Sequence, residues 1–120
     1  MTPRRIQRKR TKGWKMPPNS VYIGRPSIFG NPYPTAAWGA KEARTLYTLG
    51  LNGKWTELEK RAGHNCLTTL RAVVYFQKIR RNLHKLRGKN LACWCPLTRN
   101  GKPVPCHGDV LLRAANKEKP

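Results

Sequence analysis

No acidic residue precedes Glu42, and the whole chain sets 25 lysines and arginines against 5 aspartates and glutamates, a formal net charge of +20. Self-repulsion on that scale opposes any compact state and is relieved beside a polyanion. The charge therefore bounds the partners as well as the fold. Nucleic acid or nucleotide phosphates are the expected partners, on the logic of a basic footprint. A membrane surface would call for a basic helix with a strong apolar face. The N-terminal run of Arg4, Arg5, Arg8, Lys9, Arg10, Lys12 and Lys15 has none. An acidic protein surface, such as that of a host protein, attracts a basic chain equally well and stays open as a third class of partner.

A length of 120 residues with 38% hydrophobic residues suits one small domain with a real core. No window approaches the run of about 20 apolar residues that a membrane-spanning helix needs. The opening MTPRRIQRKR leads into no apolar stretch, so a secretory signal is not expected and a cytoplasmic setting is. The expected organisation is a basic arm over 1–19, a single α/β domain over 20–116 and a frayed end over 117–120.

Along the arm, Trp14 and Met16 are apolar anchors that a solvated, disordered tail would not use, and the arm is a candidate for a further strand through Arg5 to Lys12. Ser20 to Gly24 is a β-branched and aromatic run that reads as a buried strand. Arg25 to Pro34 carries three prolines and a glycine and reads as an ordered loop. Ala36 to Leu49 then reads as a helix, with Trp38, Ala43, Leu46, Tyr47 and Leu49 on one face and Gly50 as its stop. Lys54 to Arg61 reads as a short helix ending near Gly63. The longest helix spans Cys66 to Leu86, its apolar face drawn through Leu67, Leu70, Val74, Leu83 and Leu86, its other face carrying Arg71, Lys78, Arg80, Arg81, His84, Lys85 and Arg87. Asn90 to Trp94 is a second strand, the Asn100-Gly101-Lys102-Pro103 stretch a loop, and His107 to Ala115 a closing helix.

Strand then helix, twice, predicts an α/β fold: a small Rossmann-like domain of two or three layers with a short, mostly parallel sheet. In such sheets ligands gather beyond the carboxyl ends of the strands. The loops leaving those ends are Arg25–Pro34 and Cys95–Cys106, the two most unusual segments of the chain.

The second of these loops lies within the sulfur-rich stretch. Cys93, Cys95, Cys106 and His107 supply three thiols and an imidazole, the donors of a tetrahedral zinc site, although adjacent Cys106 and His107 would have to bend sharply to share an ion. On a strand, Cys93 and Cys95 share one face and Trp94 takes the other. The alternatives are buried structural cysteines and a catalytic thiol. In the latter, Cys106 sits at the start of the last helix, where the dipole favours thiolate, with His107 as base and Asp109 as its orienter. Asp109 has a plainer role too, as an acid in a first helical turn. In the first loop, Gly24 after the strand lets backbone approach a ligand closely, Arg25 can fork onto phosphate, Asn31 can read a base edge or a ribose hydroxyl, and Ser27 and Gly30 complete the candidate ligand-binding set. A proline-stiffened turn capped by Asn31 is the other reading. His64 reads as a surface histidine and Cys66 as a helix-start or core residue.

The blocks RTKGWKMPPNSVYIGRPSIFGNPY, LRGKNLACWCPL and PCHGDVLLRAAN, in that order, resemble an uncharacterised domain family of bacteriophages and actinobacteria, known as a domain of unknown function. The resemblance covers Pro3 to Ala115. It implies that Arg25, Pro26, Gly30, Asn31 and Pro32, then Cys93, Cys95, Cys106, His107 and Asp109, are signature positions, and that Thr98–Val104 is an insertion in a loop. It implies a phage or actinobacterial origin, hence a bacterial host cytoplasm, and brings no activity with it. The function expected is that of a phage-type protein associated with nucleic acid or nucleotides, as an enzyme acting on them or as a zinc-stabilised, non-enzymatic binding accessory.

Overall fold

Three short strands carry the domain. The β-branched run at Ser20–Tyr22 (β2) and the Leu-Ala core of Asn90–Cys93 (β3) lie parallel, and Arg5–Gln7 (β1) pairs parallel along the other edge of β3, giving the order β1-β3-β2. Register sets Ile6 opposite Ala92 and Val21 opposite Leu91. This is the α/β arrangement expected, in a computed structural model that describes residues 3–63 and 69–117. The basic arm thus joins the sheet, over a shorter stretch than Arg5 to Lys12. As befits a parallel sheet, its middle strand is fully enclosed: Leu91 and Ala92 are buried.

Between β2 and β3 the described residues form four helices: Thr35–Trp38 (α1), Ala40–Leu51 (α2), Trp55–Ala62 (α3) and Thr69–Asn82 (α4), the last continuing as a 3₁₀ turn over Leu83–Leu86. The single helix expected over Ala36–Leu49 is two, because Gly39 takes φ +80°, a value that breaks the helical ladder. Gly50 does not stop α2. It lies inside the helix with its missing side chain filled by the Phe76 ring, and the cap falls at Asn52.

The apolar face assigned to the long helix is also corrected. Leu70 and Val74 are exposed, at 75% and 60%, while Ala72, Phe76, Ile79 and Leu86 are buried. The stripe holding Phe76 buries more apolar area than one built on leucine and valine alone, and it wins the core. Phe76 meets Tyr47 edge-on at 5.4 Å, which joins α4 to α2. Leu67, Cys66 and His64 lie outside the described residues.

After β3 the chain forms a small antiparallel hairpin, Thr98–Arg99 (β4) with Lys102–Pro103 (β5), where a loop was expected. Asn100 and Gly101 both have positive φ, the signature of a type I′ turn. Helix His107–Ala115 (α5) then packs against α2, β1 and β3. Among the described residues no helix is long and apolar enough to cross a membrane.

Candidate functional site

The loop after β2 is held by hydroxyls from three elements. Tyr22 donates to the Arg25 carbonyl at 2.7 Å, Tyr47 to the Phe29 carbonyl at 2.8 Å, and Tyr75 to the Gly30 carbonyl. Burial raises the pKa of Tyr47 and of Tyr75, so both remain protonated donors. Asn31 completes the clamp: its Nδ2 donates to the Ala43 carbonyl at 3.0 Å and its Oδ1 accepts the Tyr33 N–H at 2.9 Å. The Asn31 amide is thus committed to bridging loop and helix. Ser27 accepts the Phe29 N–H through Oγ. Ser27 and Gly30 shape the loop and do not line the cavity described next, whereas Arg25 and Asn31 do.

The sulfur segment arrives from the other side. Cys106 caps α5: its Sγ accepts the Gly108 N–H at 3.4 Å, while Asp109 Oδ2 accepts the Cys106 N–H at 3.2 Å, a reciprocal capping box. The Sγ atoms of Cys93, Cys95 and Cys106 all lie within 4.8 Å of one another, and Cys93 and Cys106 are 3.2 Å apart. Trp94, between Cys93 and Cys95 in the chain and just past β3, is partly exposed at the rim of the same segment. The three sulfurs can hold a metal ion. Around zinc, Zn–S bonds of about 2.3 Å place sulfurs about 3.8 Å apart, a spacing between the 3.2 Å of Cys93 and Cys106 and the 4.8 Å that bounds the set.

His107 stands beside this set and not in it. Its Nε2 lies 2.9 Å from the Ile23 carbonyl, and a carbonyl only accepts, so Nε2 carries the proton. Nδ1 is left 3.6 Å from Cys106 Sγ. The imidazole expected as a fourth ligand thus ties α5 to the chain just after β2 through Nε2, while the lone pair of Nδ1 stays free beside the sulfurs. Asp109 does not orient it either. That carboxylate faces Arg5 Nε at 3.3 Å and Arg44 Nη1 at 3.5 Å.

Arg5 was expected on the nucleic-acid surface. Its side chain is only 8% exposed, since strand alternation puts it opposite Ile6 and under α5. Nη2 donates to the Val104 and Pro96 carbonyls at 2.9 and 3.4 Å, and Nη1 is buried with no hydrogen-bond partner. Its remaining attraction is electrostatic and falls on the sulfurs. Burial works to lower the Arg5 pKa, yet the charges of Cys106 and Asp109 outweigh it and the net shift is upward. Within the cluster the thiol pKa values are pushed apart. Cys106 is driven far below the ordinary thiol range, chiefly by hydrogen bonds from Cys93 and Cys95. Cys93 and Cys95 are raised, chiefly by hydrogen bonding to Cys106.

Both loops open on one pocket of about 310 Å³, lined by Arg25, Asn31, Arg44, the three cysteines and His107. It lies at the carboxyl ends of β2 and β3, where parallel sheets collect ligands. Arg44 was not foreseen. No local signal marks it, for it reaches the pocket from the middle of α2. The remaining basic positions of the arm, Arg4, Lys9, Arg10, Lys12 and Lys15, are exposed, as are Arg80 and Arg81 on α4; Arg8 is half-buried.

Residues 6–117 match the family described as a domain of unknown function, DUF4326. The chain belongs to that family. No curated protein and no solved structure matches it. In this DUF4326 member the match spans every element from Ile6 of β1 to the end of α5, so the pocket lies wholly inside the family's extent.

Proposed function

We propose that this protein, of the phage type its motif blocks resemble, is an enzyme acting on nucleotides or nucleic acid in the pocket at the carboxyl end of its sheet. The observation that carries this reading is the meeting of two cations, Arg25 and Arg44, with three convergent sulfurs in one cavity of a chain with net charge +20. Arg25 and Arg44 would take phosphate oxygens, Arg25 in the bidentate manner of a guanidinium fork. Exposed cations of the arm and of α4 would add affinity for the backbone that does not depend on sequence.

Zinc is the metal we assign to Cys93, Cys95 and Cys106. The donors are soft thiols that bind as thiolates, and hydrogen bonding within the cluster lowers the pKa of Cys106. Three protein ligands leave a fourth position, which is the catalytic pattern, whereas structural zinc closes all four with side chains. Bound there, zinc would supply a Lewis acid and an activated water. Arg5 would balance the charge of the thiolates, and Asp109 would hold Arg5 and Arg44 in place. A second reading rests on Cys106 itself: capping α5 beside Nδ1 of His107, it has the placing of a thiolate nucleophile.

The test is oligonucleotide binding across a salt series. Log affinity should fall with log salt at a slope of about −0.7 per single-strand phosphate neutralised, and Arg25→Ala with Arg44→Ala should weaken binding without loss of helicity. Affinity indifferent to salt would overturn the reading.

A further inference from the structure

We propose that Trp94, Tyr22, Arg8 and Arg10 form a stacking platform for unpaired nucleobases at the rim of the pocket, which makes the substrate single-stranded nucleic acid. The inference rests on the nucleic-acid reading above and narrows it.

The Arg8 guanidinium lies over two rings, 4.7 Å from the centroid of Tyr22 and 4.6 Å from that of Trp94, and Arg10 lies over Trp94 at 4.5 Å. Tyr22 and Trp94 both line the pocket, Tyr22 from β2 beside the sulfur cluster's strand and Trp94 from the chain just past its end. The inner part of the group is fixed. Arg8 extends the sheet by donating its N–H to the Cys93 carbonyl at 2.7 Å, and Tyr22 is tied by its hydroxyl to Arg25. Arg8 Nε is buried with no hydrogen-bond partner, so packing on the rings holds this guanidinium. The outer part is open: Trp94 is 39% exposed and Arg10 is exposed.

A solvent-facing tryptophan layered with two guanidinium groups suits a particular ligand. Cations are excluded by the two arginines, and a purely apolar partner would leave them desolvated. A nucleobase is planar, stacks on aromatic and guanidinium faces alike, and brings a phosphate for the same arginines. Arg10 is placed to yield its position on Trp94 or to close over the base. Bases within a duplex hide their faces in the helical stack, so the platform serves a strand whose bases are free. A base on Trp94 would have its neighbour at the mouth of the cavity that Arg25 and the cysteines line.

The experiment measures binding of a short oligothymidylate, an abasic strand of equal length and a duplex of equal length to the full chain at low salt. The oligothymidylate should bind about tenfold or more tighter than the abasic strand, which carries the same phosphates without bases. Trp94→Ala should erase that preference and Trp94→Phe should restore most of it. Equal binding of the base-bearing and abasic strands by the wild-type protein overturns the platform while leaving the polyanion reading intact, and this arm needs no variant to fold. A preference for duplex overturns it as well. If none of the three probes binds, both readings fall together.

Discussion

His107 donates its Nε2 proton to the carbonyl of Ile23 at 2.9 Å, fastening the first turn of α5 to the residue that follows β2. Together with the pairing of β2 on β3, this contact holds the proline-rich loop and the sulfur segment at the same rim. It also fixes the tautomer, so that the lone pair of Nδ1 faces Cys106. His107→Phe would keep a ring beside Tyr47, whose centroid is 5.1 Å away, but would orphan a buried carbonyl. A loss of about 1–3 kcal/mol in urea unfolding is expected, with metal content unchanged because the three-sulfur set does not use the imidazole. Loss of metal in a folded variant would contradict that.

Arg5→Met separates charge at the surface from charge in the interior. The buried guanidinium serves Asp109, two carbonyls and the Cys106 thiolate. Its removal should cost about 2–3 kcal/mol and reduce the thiolate absorbance of the metal-free protein at neutral pH. Oligonucleotide affinity should barely change under conditions where the variant is folded. A large drop in affinity would return Arg5 to the binding surface.

Gly50→Ala tests the packing of α2 on α4. Alanine is the better helix former by about 1 kcal/mol, yet its methyl would run into the Phe76 ring. Destabilisation of about 1–3 kcal/mol is expected in thermal or urea unfolding; a stabilised variant would show that the two helices are not in close contact there.

The thiol cluster sets a pH profile for the metal-free protein. Unfolding returns all three thiols to an ordinary pKa of about 8.5. The lowered Cys106 contributes stability that is present above that value and is lost as pH falls through its folded pKa. The raised Cys93 and Cys95 contribute stability present below it and lost as pH climbs beyond it. Stability should therefore peak near the ordinary thiol pKa, then fall by roughly 1.4 kcal/mol per pH unit for each proton retained. Urea midpoints of chelator-treated protein between neutral and alkaline pH check this, and a flat profile would exclude a shared thiolate.

Much of this architecture was legible in local chemistry. Ser20–Tyr22 and Asn90–Cys93 announce themselves by apolar, strand-forming residues bounded by turn formers, and α5 by an acid in its first turn. What escaped depends on competition or distance. The long helix carries two apolar stripes, Leu70 with Val74 and Ala72 with Phe76 and Ile79, and only the packed fold shows which one is covered. The Asn100-Gly101 turn was visible as a pair, but strands of two residues give no periodicity to read. Arg5 looks like part of a solvated charge run because its partner, Asp109, lies at the far end of the chain. Arg44 has no sequence mark at all. The meeting of the two loops was readable only through the rule that ligands gather at the carboxyl ends of parallel strands.

Cobalt(II) substitution tests the shared metal and phosphate pocket most directly. Cobalt taken up by Cys93, Cys95 and Cys106 should give the intense visible bands of a tetrahedral thiolate site, and those bands should shift when a nucleotide or oligonucleotide is added, because the fourth position opens into the cavity of Arg25 and Arg44. Failure to take up cobalt, or a cobalt spectrum unmoved by saturating ligand, would contradict the account.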